Sequence, residues 1–262
     1  MDLGITGKTA LVTGASRGIG LAIAQTLAAE GVRVVGAART VTPELAKVAA
    51  AAVPVDLSTR EGARSVVEQA ISAVGGIDFL VNNVGAGDPS GLSVAGFLDV
   101  DDEQWQTIFG LNLFSPVWTT KAALPSIVER KGAIVNISSI NGRVPTGSPV
   151  GYAEAKAALT QFGKRLSEEL GPLGVRVNTV SPGITTSPLW TDPNGFGGKV
   201  AEAAGIGHAD LLAALPAQVG IATGRLGTPE QVADLVAFLL SERAAGIHGH
   251  DHVIDGGTIK TA

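Results

Sequence analysis

Seven short apolar runs, each separated from the next by a stretch with helical spacing or a loop, constrain this chain more than any other feature. TALVTGA (9–15), VRVVGAA (32–38), VPVDL (53–57), IDFLVNN (77–83), GAIVNISS (132–139), VRVNTVSP (175–182) and HVIDGG (252–257) read as strands. Helices are predicted over 18–31, from about Pro43, over 59–74, about 102–130 with a bend at Pro116, about 151–171, and 228–242. Gly31 suits the position just past a helix end, and Thr228-Pro229 suits a helix start. Strands that alternate with helices close into right-handed βαβ units and hence a parallel sheet. Runs that are apolar throughout belong to strands covered on both faces. The expectation is an α/β chain, 1–262 as one doubly wound domain, with a seven-stranded parallel sheet and helices on both faces. Segment 185–227, interrupted by Pro188, Pro193 and Pro216, is expected to be irregular, with one or two short helices.

Composition agrees and removes whole classes of function. Apolar residues are 45% and charged residues 16%, the opposite of a disordered chain. The net charge of −5 offers no basic footprint for nucleic acid. With no cysteine, disulfides, thiolate chemistry and cysteine-ligated zinc are excluded, which fits a cytoplasmic protein. The first residues, MDLGITGKTALVTG, do not have the layout of a signal peptide, and no run of 18 apolar residues predicts a membrane span.

TGASRGIG (13–20) joins the first strand to the first helix. Gly14, Gly18 and Gly20 let the backbone turn tightly, so that the helix N-terminus can present its free N–H groups to a pyrophosphate. Ser16, Arg17 and Ile19 lie between them. The spacing is Gly-x3-Gly-x-Gly rather than the usual dinucleotide fingerprint, and such a turn also occurs merely to close a loop. The second strand ends in GAARTV, with no carboxylate to hold the adenosine ribose hydroxyls. Arg39 there and Arg17 in the loop suit a 2′-phosphate instead, which favours NADP over NAD.

The chain also carries VDL (55–57), NNVG (82–85), Asn112 in LNLF, NISS (136–139), YAEAK (152–156), SPG (181–183) and IDGG (254–257), in that order. With the glycine loop, this set resembles the short-chain dehydrogenase/reductase family along essentially the whole chain, and in particular its NADP-dependent 3-oxoacyl-carrier-protein-reductase-like members. The combination of a serine thirteen residues before Tyr-x3-Lys with that loop is specific; each piece alone is weak. The resemblance implies a Rossmann-type fold. It implies that Tyr152, the chain's one tyrosine, is a general acid/base, and that Ser139 hydrogen-bonds the substrate carbonyl. Lys156, one turn on, is expected to lower the phenol's pKa and to bond the nicotinamide ribose, and Asn112 to hold a water in a proton relay. Asp56 and Leu57 then contact the adenine, Asn83 braces the sheet near the adenosine, and Gly85 follows in the same motif. Pro182, Gly183 and Ile184 run along the nicotinamide, and Ser187 takes the place of a family threonine, with Thr185 and Thr186 as competitors. Val84 stands where the family usually has alanine.

The implied activity is an NADP(H)-dependent interconversion of a small-molecule carbonyl and a secondary alcohol, with no metal. The alternatives are an NAD-dependent alcohol or polyol dehydrogenase and a non-catalytic dinucleotide sensor; the retained Tyr152 and Lys156 argue against the sensor. The resemblance further implies a homotetramer, or a homodimer, joined through the long helices and the last strand. Segment 188–220 is the expected substrate lid, whose Leu189, Trp190, Phe196, Ile206, Leu211, Leu212 and Leu215 either line a pocket or pack the lid on the body. Gly195, Gly197 and Gly198 suggest that it moves, and Phe97 and Trp105 read as pocket or core. His248, His250 and His252 alternate, as ligands on one strand face would, but subunit contact or a surface strand fits them better.

Overall fold

The computed structural model describes residues 2–85, 96–145 and 147–260. Residues 86–95 of the loop after the fourth strand lie outside the described residues. Seven strands, β1 (Thr9–Thr13), β2 (Arg33–Ala38), β3 (Ala51–Pro54), β4 (Phe79–Asn82), β5 (Ala133–Ile137), β6 (Arg176–Pro182) and β7 (Asp251–Ile254), form one sheet. Its order is β3-β2-β1-β4-β5-β6-β7, and every pairing is parallel. The order reverses between β1 and β4, and the crevice beyond their carboxyl ends is where such a fold takes a ligand.

Helices α1 (Gly18–Ala29), α2 (Pro43–Val48), α3 (Arg60–Val74), α4 (Asp102–Phe109), α5 (Ser115–Glu129) and α6 (Tyr152–Leu170) follow the first five strands. Then come α7 (Pro188–Thr191), α8 (Phe196–Ala204), α9 (His208–Gln218) and α10 (Pro229–Leu240). Successive strand residues face opposite ways. Val12 and Val34 therefore join Ile23 and Leu27 of α1 and Val236 and Leu240 of α10 in one apolar layer. Leu11, Val35 and Leu80 join Val66 of α3 and Ile127 of α5 in the other.

Four expectations shift. The strands are shorter than the apolar runs. β1 stops at Gly14, whose φ of +64° is left-handed, and β3, the edge strand, ends at Pro54, with Val55 N still donating to the Ala38 carbonyl at 2.9 Å. Val55, Asp56 and Leu57 follow it into the crevice. The helix expected over 102–130 is interrupted by a π turn, Gly110–Phe114. Pro116 lies in the first turn of α5 and cannot donate to a carbonyl one turn back, so the irregularity falls before it, around Asn112. Segment 185–227 holds three helices, α8 and α9 being separated at Gly205, where φ is +66°. The three histidines do not share a strand, since β7 begins at Asp251 and only His252 belongs to it.

Candidate active site

The glycine loop is shaped by close approach. A Cβ on Gly20 would stand 2.2 Å from the Gly14 carbonyl oxygen and 2.4 Å from Asn83 Nδ2, so no larger residue fits. Asn83 donates from that nitrogen to the carbonyls of Thr13 (2.9 Å) and Gly14 (3.1 Å), pinning the loop to the end of β4. Thr42, the N-cap of α2, donates to the Ser16 carbonyl at 3.1 Å and holds the loop's other side. A Cβ on Gly18 would lie 3.2 Å from Cβ of Ser187, so Ser187 sits directly across the loop.

The loop forms one wall of a cavity of about 700 Å³. Ser16, Arg17, Ile19, Arg39, Asp56 and Leu57 line its far end. Arg17 and Arg39 are exposed there, at the N-cap of α1 and just past β2. The Asp56 carboxyl accepts from Ser58 N at 2.9 Å. The Ser58 hydrogen bonds, chiefly, and the Arg39 charge hold it below the usual carboxylate range. Gly85, Ser139, Tyr152, Lys156, Pro182, Gly183, Ile184 and Ser187 line the near end. Thr185 is buried and lines the cavity as well, whereas Thr186 is exposed. Gly14, Gly18 and Asn83 line it too. The cradle left by Gly14, Gly18 and Gly20 at a helix N-terminus, opening into a long cleft with arginines at one end, suits a phosphorylated dinucleotide.

At the near end three side chains converge. Ser139, two residues past β5, neighbours Tyr152 at the start of α6. Lys156, one turn along α6, is buried, donates from Nζ to the Ile137 carbonyl at 2.9 Å, and lies 5.7 Å from the Tyr152 ring centroid. Ser138 Oγ braces that turn by donating to the Lys156 carbonyl at 3.0 Å. Asn112, buried in the π turn, donates to the Ile108 carbonyl at 2.9 Å. Its Oδ1 and Lys156 Nζ each lie 2.9 Å from where a Cβ on Gly85 would stand. Only a glycine leaves the two groups that shared space.

One electrostatic expectation is reversed. A neighbouring ammonium was to lower the Tyr152 phenol; instead burial pushes it above 10, and Ser139 beside it only partly offsets this. Burial also drops Lys156 to about 7. Both groups lose water on burial, which disfavours the charged form of each.

The comparisons with known proteins agree with this geometry. A family model described as enoyl-(acyl carrier protein) reductase matches residues 14–258. The chain belongs to the short-chain dehydrogenase/reductase family. Within the family it is 35% identical to the 3-oxoacyl-[acyl-carrier-protein] reductase FabG of Escherichia coli (strain K12), over 96% of this chain and 97% of that protein. It is 33% identical to 3beta-hydroxysteroid dehydrogenase 1 of Eggerthella lenta, over 97% and 94%. Among solved structures, L-sorbose reductase from Gluconobacter frateurii, complexed with NADPH and L-sorbose, superposes with a TM-score of 0.90 at 34% identity, covering all of both chains.

This short-chain dehydrogenase/reductase departs from the sequence reading around segment 188–220. Leu189, Trp190 and Phe196 line the cleft, Leu211 and Leu215 form a small core with Ala201, and Ile206 is exposed. Each of the two readings therefore holds for part of the set. Gly195, Gly197 and Gly198 are packing glycines: their Cβ positions fall 2.7, 2.3 and 1.7 Å from backbone oxygens of Leu189, Trp190 and Pro193. Phe97 is exposed and meets Trp105 edge to face at 6.4 Å, so it is not core. His248 staples β6 to α6, accepting at Nδ1 from Val177 N (3.2 Å) and placing Nε2 2.8 Å from the Ser167 carbonyl. The His250 and His252 rings stand 6.0 Å apart. Among the described residues no group of three or more His, Cys, Asp or Glu could hold a metal, and no helix is long and apolar enough to cross a membrane. The sequence reading missed Ser138 and Asn141, the latter accepting from and donating to Ser139 at 3.3 and 3.2 Å. Both flank a serine already singled out, which is the one signal that pointed to them.

Proposed function

We propose that the protein is an NADP(H)-dependent oxidoreductase that interconverts a carbonyl and a secondary alcohol, with Tyr152 as general acid/base. The observation that carries this is the convergence of Ser139, Tyr152 and the buried Lys156 on the floor of a cleft that begins at a glycine-built cradle. A nicotinamide dinucleotide held in that cleft supplies or accepts the hydride. Gly14, Ser16, Arg17, Gly18, Ile19 and Gly20 hold its phosphates, with Arg17 and Arg39 on the 2′-phosphate. Asp56, Leu57 and Asn83 hold the adenosine end. Gly85, Pro182, Gly183, Ile184 and Ser187 line the nicotinamide end, where Lys156 bonds the ribose.

Ser139 Oγ donates to the substrate oxygen, and the Tyr152 hydroxyl gives that oxygen its proton as the carbon is reduced. Burial holds the phenol in its protonated form, which can give a proton to the oxygen of a bound carbonyl. Asn112 and Lys156, facing each other across Gly85, return a proton to Tyr152 through a water between them. Residues 188–220 act as the substrate lid.

The same proposal makes the protein a cytoplasmic homotetramer or homodimer. Exposed Phe114, the last residue of the π turn, stacked on Trp118 of α5 at 5.8 Å, suits a subunit contact. Consumption of NADPH and NADH across a panel of ketoacyl thioesters, steroid ketones, ketoses and aromatic ketones tests the activity. Turnover with NADPH at lower KM than with NADH is expected. Binding of NADPH with no turnover of any class would favour the sensor instead.

A further inference from the structure

Ser139, two residues past β5, caps a 3-10 turn, Ile140–Gly142, in the stretch that precedes α6. Gly142 rests on the backbone of α6: its Cβ would stand 2.9 Å from Ala157 N and 3.0 Å from the Lys156 carbonyl carbon. The opposite side of the turn is held differently. Arg143 Nε donates to Asp251 Oδ2 at 2.8 Å, and its NH2 donates to the Asp251 carbonyl at 3.1 Å. Among the described residues from 140 to 150, no other side chain hydrogen-bonds to another secondary-structure element. Asp251 is the first residue of the edge strand β7, and its side chain is 10% exposed. Its other oxygen accepts from Ser181 Oγ at 2.6 Å, one residue before Pro182 and Gly183 on the cleft wall.

We infer that Arg143 and Asp251 are positioning residues: a carboxylate on the edge strand ties the Ser139 turn to β6, and so fixes the serine hydroxyl against Tyr152. The physical reason lies in the arrangement of constraints. Within its own turn Ser139 Oγ has only long contacts, 3.2 and 3.3 Å to Asn141, and the packing of Gly142 on α6 holds the turn from one side only. A forked, charge-assisted contact holds the far side. Asp251, nearly buried and already bonded to Ser181, is a fixed point, whereas a solvated surface partner would not be. Neither residue touches the cleft, so both act through Ser139.

This inference rests on the proposed role of Ser139, and a double-mutant cycle separates the two. Steady-state reduction and NADPH fluorescence titration are measured for wild type, Ser139→Ala, Arg143→Met and Ser139→Ala/Arg143→Met. Arg143→Met is expected to lower kcat by about tenfold or more, since small misplacements of a reacting geometry are costly. Its Kd for NADPH should change less than about twofold, and Arg143→Met should have no further effect on kcat once Ser139 is alanine. Arg143→Lys, which keeps charge but not the fork, should recover part of kcat. Unchanged kcat in Arg143→Met, or an equal loss in both backgrounds, overturns the inference. Full turnover by Ser139→Ala overturns the site reading itself. If Arg143→Met does not fold, the nearly isosteric Asp251→Asn takes its place in the same cycle with the same expectations.

Discussion

The floor and the roof of the cleft are built on different principles. The floor, from the glycine loop through β5 to α6, is a set of backbone contacts: Gly20 against the Gly14 carbonyl, Lys156 Nζ on the Ile137 carbonyl, Asn83 on Thr13 and Gly14. The roof, α7 to α9, is mostly side chain on side chain. Trp190 meets Phe196 edge to face at 5.5 Å, and Ala201, Leu211 and Leu215 form a core separate from the two that cover the sheet. Its backbone-tight joints centre on α7, where Gly197 of α8 packs on the Trp190 carbonyl and His208 Nε2 of α9 lies 2.8 Å from the same oxygen. Main-chain atoms move little, so the reacting groups gain fixed positions; side-chain packing tolerates exchange, so the roof can change its substrate without disturbing the chemistry.

The sharpest way to break this contrast is at the floor. Tyr152→Phe should lower kcat by about 100- to 10,000-fold, the usual worth of a general acid. NADPH affinity, read by fluorescence titration, should stay within a factor of about three. Residual turnover near wild type would remove Tyr152 from the chemistry.

Gly20→Ala comes next. The added methyl collides with the Gly14 carbonyl and Asn83, neither of which can retreat without opening the loop. Loss of about 1–3 kcal/mol of stability is expected, with NADPH binding weakened about tenfold or more. A melt and a titration on the same sample read both.

On the roof, Leu215→Ala should raise the substrate KM several-fold while sparing cofactor affinity, because it opens a cavity costing about 2 kcal/mol or more in the roof's own core. A matching loss of NADPH affinity would mean that floor and roof are one unit.

The smallest effect separates stability from function at a single floor residue. Lys156 titrates near 7 when folded and near 10.5 when unfolded. Between those values the unfolded chain binds the extra proton, so this residue makes stability rise with pH; below about 7 it carries its full penalty. Lys156→Met should therefore raise the melting temperature of the cofactor-free protein by a few degrees at pH 6. That advantage should shrink toward pH 10, while activity is lost at every pH. Parallel melts of wild type and variant across pH 6–10 test it.

Much of the floor was legible along the chain. Gly14, Gly18 and Gly20, Ser139, Tyr152 and Lys156 sit at spacings that a strand end or a single helical turn imposes, and the structure brings them to one cleft. The roof was legible only in part, because short apolar stretches between prolines do not say which side chains face the cleft and which face one another. The same gap hid the tie between Arg143 and Asp251, 108 residues apart.

Local spacing, then, was enough for the order of strands and helices, the glycine loop and the juxtaposition of Tyr152 and Lys156, because each depends on neighbours within a few residues. Only the folded chain decided how burial acts on that pair, the π turn that carries Asn112, and the division of the apolar residues of 188–220 between cleft and core. These depend on how much water the surrounding elements exclude and on which surfaces meet, and both are properties of packing between segments far apart in sequence.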